Sequence, residues 1–307
     1  MSWLTLTVIA QFLNSIVALF DKYLVTSKKI TTPILYVFYT GVLTCLGILI
    51  YIPSLFFSNS GLPRFSHIQL LTPYMFFIVI CIACSQLYAL YALFSCLRKN
   101  DASDVVPVIG SFSAIYALII GYFFTGLTLS PDFAFGFALL IFGTFLISHI
   151  RFSVNTFLLT LIAGLGFAVQ STLLKELLNS TSFDTGFFWM SSVTSVMAFC
   201  LLFFPQVRKT FHSQRKEKHI KSTGALLIGN KLIAGIAGIL IIKAIQIGEV
   251  SLIQALGGLQ FVFLFVLAAI FGPFTGIDFG ENIKRKDLYH KFAAISIIFI
   301  GFVLLFI

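Results

Sequence analysis

Lys231 stands about seven residues into an apolar block of the chain, directly after Asn230. At 1.5 Å per residue it lies roughly 10 Å from the end of that block. A lysine at full membrane depth costs about 2.5–3.5 kcal/mol on insertion scales. A cation held there can receive a carboxylate, or titrate. The competing reading is a long stem that lets the ammonium snorkel to the headgroups. Polar amides form a second set in similar blocks: Gln11, Asn14, Gln86, Gln170, Gln254 and Gln260. An unpaired amide is costly in hydrocarbon, so these residues are expected to face other helices. There they either hydrogen-bond a polar solute or glue helices together.

Two charge pairs recur along the chain. Lys22 meets Lys175 at an offset of 153 residues, and Asp101 meets Glu249 at 148. Lys22 with Asp101, and Lys175 with Glu249, are candidate ionic gates at opposite faces of a membrane; the bland alternative is four separately solvated charges. Tyr36 and Trp189 are also repeat-related. They fit an aromatic belt at the interface or the wall of a solute path. Tyr88 and Tyr91 are neighbours at i, i+3 and are candidates for the same wall. The substrate-binding set expected from sequence is Asn14, Gln86, Tyr88, Gln170, Trp189, Asn230, Lys231 and Gln260.

These residues must be positioned by membrane-spanning helices. The 307-residue chain is 59% hydrophobic and 10% charged, against roughly 25% charged for a soluble domain. A span needs about 20 apolar residues. Ten such blocks are present: 3–20, 33–52, 71–97, 106–124, 133–149, 154–174, 184–204, 224–246, 251–271 and 292–307. Lipid cannot satisfy backbone polar groups and the blocks are too long for barrel strands, so they are helices. All eight prolines are expected in loops or near helix ends. All eleven Asp and Glu are expected in loops or within a turn of an end, where water reaches them.

The same units appear twice. Leu6-Thr7-Val8-Ile9-Ala10 returns as Leu159-Thr160-Leu161-Ile162-Ala163; Gly110 meets Gly258, and Gly143 meets Gly301. Residues 1–150 and 151–307 each hold five spans. Five is odd, so the second unit enters the membrane in the opposite sense, and a binding site is expected between the units. Of the 20 Lys and Arg, 16 sit in the odd-to-even loops. The positive-inside rule places those loops in the cytoplasm and both termini outside. The net charge of +9 therefore reads as contact with anionic headgroups and not with nucleic acid.

Three stretches carry a family resemblance: YALYALFSCLRKNDASDVVPVIGSFSAIYALIIGYFF, TGLTLSPDFAFGFALLIFGTFLI and IKAIQIGEVSLIQALGGLQFVFLFVLAAIFG. They resemble the drug/metabolite transporter superfamily, in particular its EamA-like branch. The resemblance implies an all-α membrane protein of ten transmembrane helices in two inverted five-helix repeats. It further implies alternating access for a small molecule. Two departures stand out. Thr125-Gly126 occupy the turn where the family commonly has Glu, and many members have both termini inside.

The functional expectation is a secondary transporter in the cell (inner) membrane. Its expected cargo is a small polar metabolite, such as an amino acid or other carboxylate-bearing compound, with Lys231 attracting it. No cofactor and no metal are expected, and the protein acts as monomer or homodimer in the bilayer. The alternatives are a non-transporting scaffold and a channel. An enzyme is disfavoured because all five histidines lie in loops or at helix ends and no GxSxG or HExxH occurs. Cys81 and Cys84 form a C-x-x-C inside an apolar block and read as packing residues. With no carboxylate expected deep in the membrane, a proton-coupled cation exporter is also disfavoured.

Overall fold

The computed structural model describes residues 2–26, 32–56, 63–100, 102–126, 131–147, 153–214 and 220–275, and most of 293–304. Every regular element among them is helical. In order these are α1 (Trp3–Thr26), α2 (Pro33–Leu43), α3 (Pro53–Phe56), α4 (Pro73–Leu97), α5 (Ala102–Thr125), α6 (Pro131–Ile147), α7 (Val154–Ser180), α8 (Phe183–Cys200), α9 (Pro205–Gln214), α10 (Ile220–Ile247), α11 (Val250–Ala255) and α12 (Gly257–Thr275). A 3₁₀ stretch, Thr44–Tyr51, continues α2. Among the described residues, seven helical segments are long and apolar enough to cross a membrane, and two shorter apolar ones lie at Ala134–Thr144 and Val250–Leu264. The chain is an all-α membrane protein.

Helix starts follow local chemistry. Pro33 and Pro73 open α2 and α4, where a missing N–H costs nothing. Thr72, Ser153 and Ser182 cap α4, α7 and α8 by accepting from the backbone N–H three residues on. Two helices outrun the expected spans by six residues at their C-terminal ends. α1 reaches Thr26, which brings Asp21 and Lys22 onto the helix, and α7 reaches Ser180, which includes Lys175. Pro107 falls in the second turn of α5, where it forgoes one backbone hydrogen bond.

In lipid, helices associate through close packing and polar contacts, because the tails are as apolar as leucine. α1 lies along α10 and α12; α4 lies along α7; α5 lies along α7, α11 and α12; α2 lies along α8. Small residues set these approaches. A Cβ on Gly164 of α7 would stand 2.6 Å from the Phe112 Cβ of α5 and 3.1 Å from the Ser113 backbone N. A Cβ on Gly41 of α2 would stand 2.6 Å from the Ala198 Cβ of α8. One contact is reciprocal. A Cβ on Gly143 would meet Ile298 at 2.7 Å, and one on Gly301 would meet the Leu140 backbone at 2.8 Å. Residues 143 and 301, like 140 and 298, are separated by 158 positions.

Gly164→Val forces α7 away from α5 and is expected to destabilise the protein by about 1–3 kcal/mol, as overpacking does. Gly235→Ala on α10, where a Cβ meets nothing within 4 Å, is expected to leave stability unchanged or slightly raised. Thermal unfolding of the two variants in detergent checks the pair.

Candidate functional site

A cavity of about 580 Å³ lies among α1, α2, α4, α5, α7, α8, α10, α11 and α12. Its wall is mostly apolar, with polar groups arriving singly from different helices: Gln11, Asn14 and Asp21 from α1, Thr40 from α2, Gln86 from α4, Ser113 from α5, Gln170 from α7, Thr194 from α8, Lys231 from α10, and Gln254 and Gln260 from the broken α11–α12 pair. The break falls at Leu256, with Gly257 also in the wall. Five polar atoms of this wall are buried with no partner within the protein: Gln11 Oε1, Thr40 Oγ1, Gln86 Oε1, Ser113 Oγ and Thr194 Oγ1. A buried unpaired polar group is expensive. Five such atoms thus belong to residues of one cavity wall.

The densest chemistry lies at one edge of this cavity. The Asp21 carboxylate pairs with the Lys231 ammonium at 2.7 Å, and the two side chains are only 8% and 5% exposed. The same oxygen, Oδ1, accepts from Asn230 Nδ2 at 2.6 Å and from the Tyr36 hydroxyl. The ammonium also lies 4.7 Å from the Tyr36 ring centroid and 5.4 Å from that of Phe94, within cation–π range. α1, α2 and α10 thus converge on one carboxylate.

This arrangement corrects two expectations. Asp21 is not a solvated residue at a helix end, because α1 continues past it for five residues and carries it into the interior. Lys231 neither snorkels nor stands ready as an unpaired cation, because Asp21 neutralises it. Asn230 supports the carboxylate and is absent from the cavity wall. Tyr36, weighed from sequence as a belt or path residue, is fully buried against the ion pair.

Of the remaining candidates, Asn14, Gln86, Gln170 and Gln260 line the cavity. Gln260 Nε2 donates to the Asn14 carbonyl at 3.1 Å, which ties α12 to α1. Tyr88 and Trp189 are not brought there. Tyr88 is 58% exposed on the outer surface of α4. Trp189 donates its indole N–H to the Gln69 carbonyl at 2.9 Å and packs edge-on against Phe76 and Phe188. The sequence reading also missed Asp21, Thr40, Ser113 and Thr194. Hydroxyls hidden among apolar residues gave no signal of their own. A carboxylate one residue beyond an apolar block was readable only as a loop charge.

The gate candidates do different work. Lys22 Nζ donates to the carbonyls of Leu97 at 2.8 Å and Asn100 at 2.6 Å, at the end of α4. Lys175 Nζ donates to those of Ile245, Gln246 and Gly248 at 2.9, 3.1 and 3.0 Å, at the end of α10. Helix ends leave carbonyls unsatisfied and carry partial negative charge, so a lysine suits them. Lys175 directs its ammonium to backbone and not to Glu249, which is exposed. The second pair is thus not in direct contact, although Glu249 still acts electrostatically on the Lys175 ammonium; Asp101, the partner in the first, lies outside the described residues. The C-x-x-C cysteines, Cys81 and Cys84, are free thiols. Among the described residues, no group of His, Cys, Asp and Glu could hold a metal.

No protein-family model and no curated protein matches the chain. A solved structure described as "Crystal structure of protein" matches over 97% of this chain and 96% of its own length, with a TM-score of 0.64 and 17% identity. That likeness concerns the fold. The membrane class rests on the span-length apolar helices alone.

Lys175→Met is expected to cost about 1.5–3 kcal/mol, the scale for hydrogen bonds to a charged group. It should speed amide exchange in the last turn of α10 without altering that of α4, read by hydrogen-exchange mass spectrometry. Lys22→Met should give the converse pattern.

Proposed function

We propose that this chain is a secondary transporter of the EamA-like drug/metabolite kind, with ten crossings in two inverted five-helix repeats. The cavity carries the reading. It is central, large enough for a metabolite, and walled by helices from both sides of residue 150.

Recurring sequence offsets in the contacts support the repeat. Lys22 caps Leu97 and Asn100; adding 153 to the lysine and 148 to its targets gives Lys175, Ile245 and Gly248, which also meet. Ser195 Oγ donates to the Val42 carbonyl at 2.9 Å, and these two residues are 153 apart. Equivalent positions in contact lie on the axis that relates the repeats. The reciprocal glycine contacts of residues 143 and 301 have the same character. The broken helix at Leu256 is of a kind transporters use at midplane sites. With 16 of 20 basic residues in the odd-to-even loops, those loops face the cytoplasm and the termini face out.

The cavity's chemistry bounds the cargo. Its formal charges are Asp21 and Lys231, one of each sign, and the rest of its polar wall is neutral amide and hydroxyl. A small solute with several hydrogen-bonding groups fits, and an amino acid or other small carboxylate is the leading class. Alternating access then consists of the two halves rocking about this site.

Purified protein in liposomes preloaded with amino acids or two- to four-carbon carboxylates tests the reading by counterflow. A transporter accumulates labelled external solute transiently against the preloaded pool. A channel shows leak without accumulation, and a scaffold shows neither. For an exchanged solute, Gln86→Leu and Ser113→Ala are each expected to raise KM about three- to tenfold, the equivalent of one lost hydrogen bond.

A further inference from the structure

The Asp21–Lys231 pair is more than the helix crossing it occupies requires. The offsets that relate Lys22 to Lys175 and Leu97 to Ile245 carry Asp21 to Leu174 and Lys231 to Ala83. Leu174 and Ala83 are buried in one apolar cluster, where α4 and α7 pack closely. The counterpart crossing is therefore built without charge. Apolar replacement of a buried ion pair is often neutral or stabilising, so packing does not account for the pair. Both members line the cavity, and they come from helices on opposite sides of residue 150.

We propose that Asp21 is a proton-binding site that makes anion entry depend on a proton. In the deprotonated state Lys231 is held by Asp21, and an arriving carboxylate meets a site already neutral. When a proton from water adds to the Asp21 carboxylate, it becomes a neutral acid. Lys231 keeps its own proton and loses its counter-charge. A solute carboxylate then takes the place of Asp21 as partner. One proton and one carboxylate charge enter together, so the site remains neutral. The charged and polar groups that face Asp21 come from several helices, and Asn230 of α10 also donates to its Oδ1. α10 supplies Lys231, and α2 supplies Tyr36, whose hydroxyl donates to the carboxylate. On α1 itself, Lys22 is occupied with the α4 carbonyls and Tyr23 is half-buried. Asp104 stands in the first turn of α5. α4 and α12 contain no charged residue.

The inference rests on the transport reading, and the test separates the two. Wild type, Asp21→Asn and the double variant Asp21→Leu with Lys231→Ala are reconstituted in liposomes. Uptake of labelled alanine, glutamate, lactate and succinate is measured with and without an outside-acid gradient, over protein-free vesicles. Coupling of one proton to one carboxylate predicts that wild type concentrates the solute about tenfold per pH unit of outside-acid gradient. It also predicts alkalinisation of the outside medium on solute addition. In Asp21→Asn the ratio of rates with and without the gradient falls to about one, and the double variant, which lacks the Lys231 partner of the solute carboxylate, falls to the level of protein-free vesicles. The double variant copies the Leu174–Ala83 crossing and is expected to melt near wild type, and the thermal melt of Asp21→Asn, taken alongside, excludes misfolding as the cause of its lost response. Wild-type exchange indifferent to the gradient, or an Asp21→Asn protein that keeps the gradient response, overturns the proposal. Wild type that exchanges none of the four solutes, with or without the gradient, counts against the transport reading and against this proposal with it.

Discussion

A charge inside hydrocarbon must be answered by the protein itself, and this molecule answers three ammonium groups within its helices. Lys22 and Lys175 lie on the unsatisfied carbonyls of helix ends. Lys231 lies on a carboxylate. The first two solutions fix where α4 and α10 stop relative to α1 and α7. The third draws α1, α2 and α10 to a single oxygen atom. Helix length, helix pairing and the edge of the central cavity all follow from these three answers. A lysine left without one would cost several kcal/mol, a large share of the stability of a domain.

The cavity is bounded by a different balance. Glycines at positions 41 and 164 bring α2 against α8 and α7 against α5, while the break at Leu256 falls between Gln254 and Gly257, which both line the cavity. The 3₁₀ stretch that continues α2 also borders it, through Thr44, Leu46, Gly47 and Ile50. Short 3₁₀ runs have poorer hydrogen-bond geometry than α-helix and often mark hinges. The wall is therefore least regular on α2 and at the α11–α12 break, while α4 and α7 are continuous helices.

Sequence reasoning reached the membrane class, the position of Lys231 and most of the amides in the cavity, because each rests on composition or on the cost of a polar group in lipid. Asn14, Gln86, Gln170 and Gln260 were legible for that reason. Asp21 was not, because the apolar block ends at Phe20 and a carboxylate just beyond it has the pattern of a loop residue; only tertiary packing carries α1 on to Thr26. Tyr88 and Trp189 were misplaced because an aromatic ring suits lipid, interface and cavity alike. With 37 Phe in the chain, ring type carries little positional information. The lysine pair at 22 and 175 was found from its spacing, but its partners are backbone atoms, which no side-chain pattern announces.

The reciprocal contact of Gly143 with Ile298 and of Gly301 with Leu140 bears on association between molecules. A contact in which two like surfaces each fill the other is complete at two members and leaves no free half to recruit a third. α6 and the helical residues near 300 therefore occupy one another's small-residue faces. Gly143 and Gly301 are therefore buried inside the molecule and do not present a small-residue seam to the lipid.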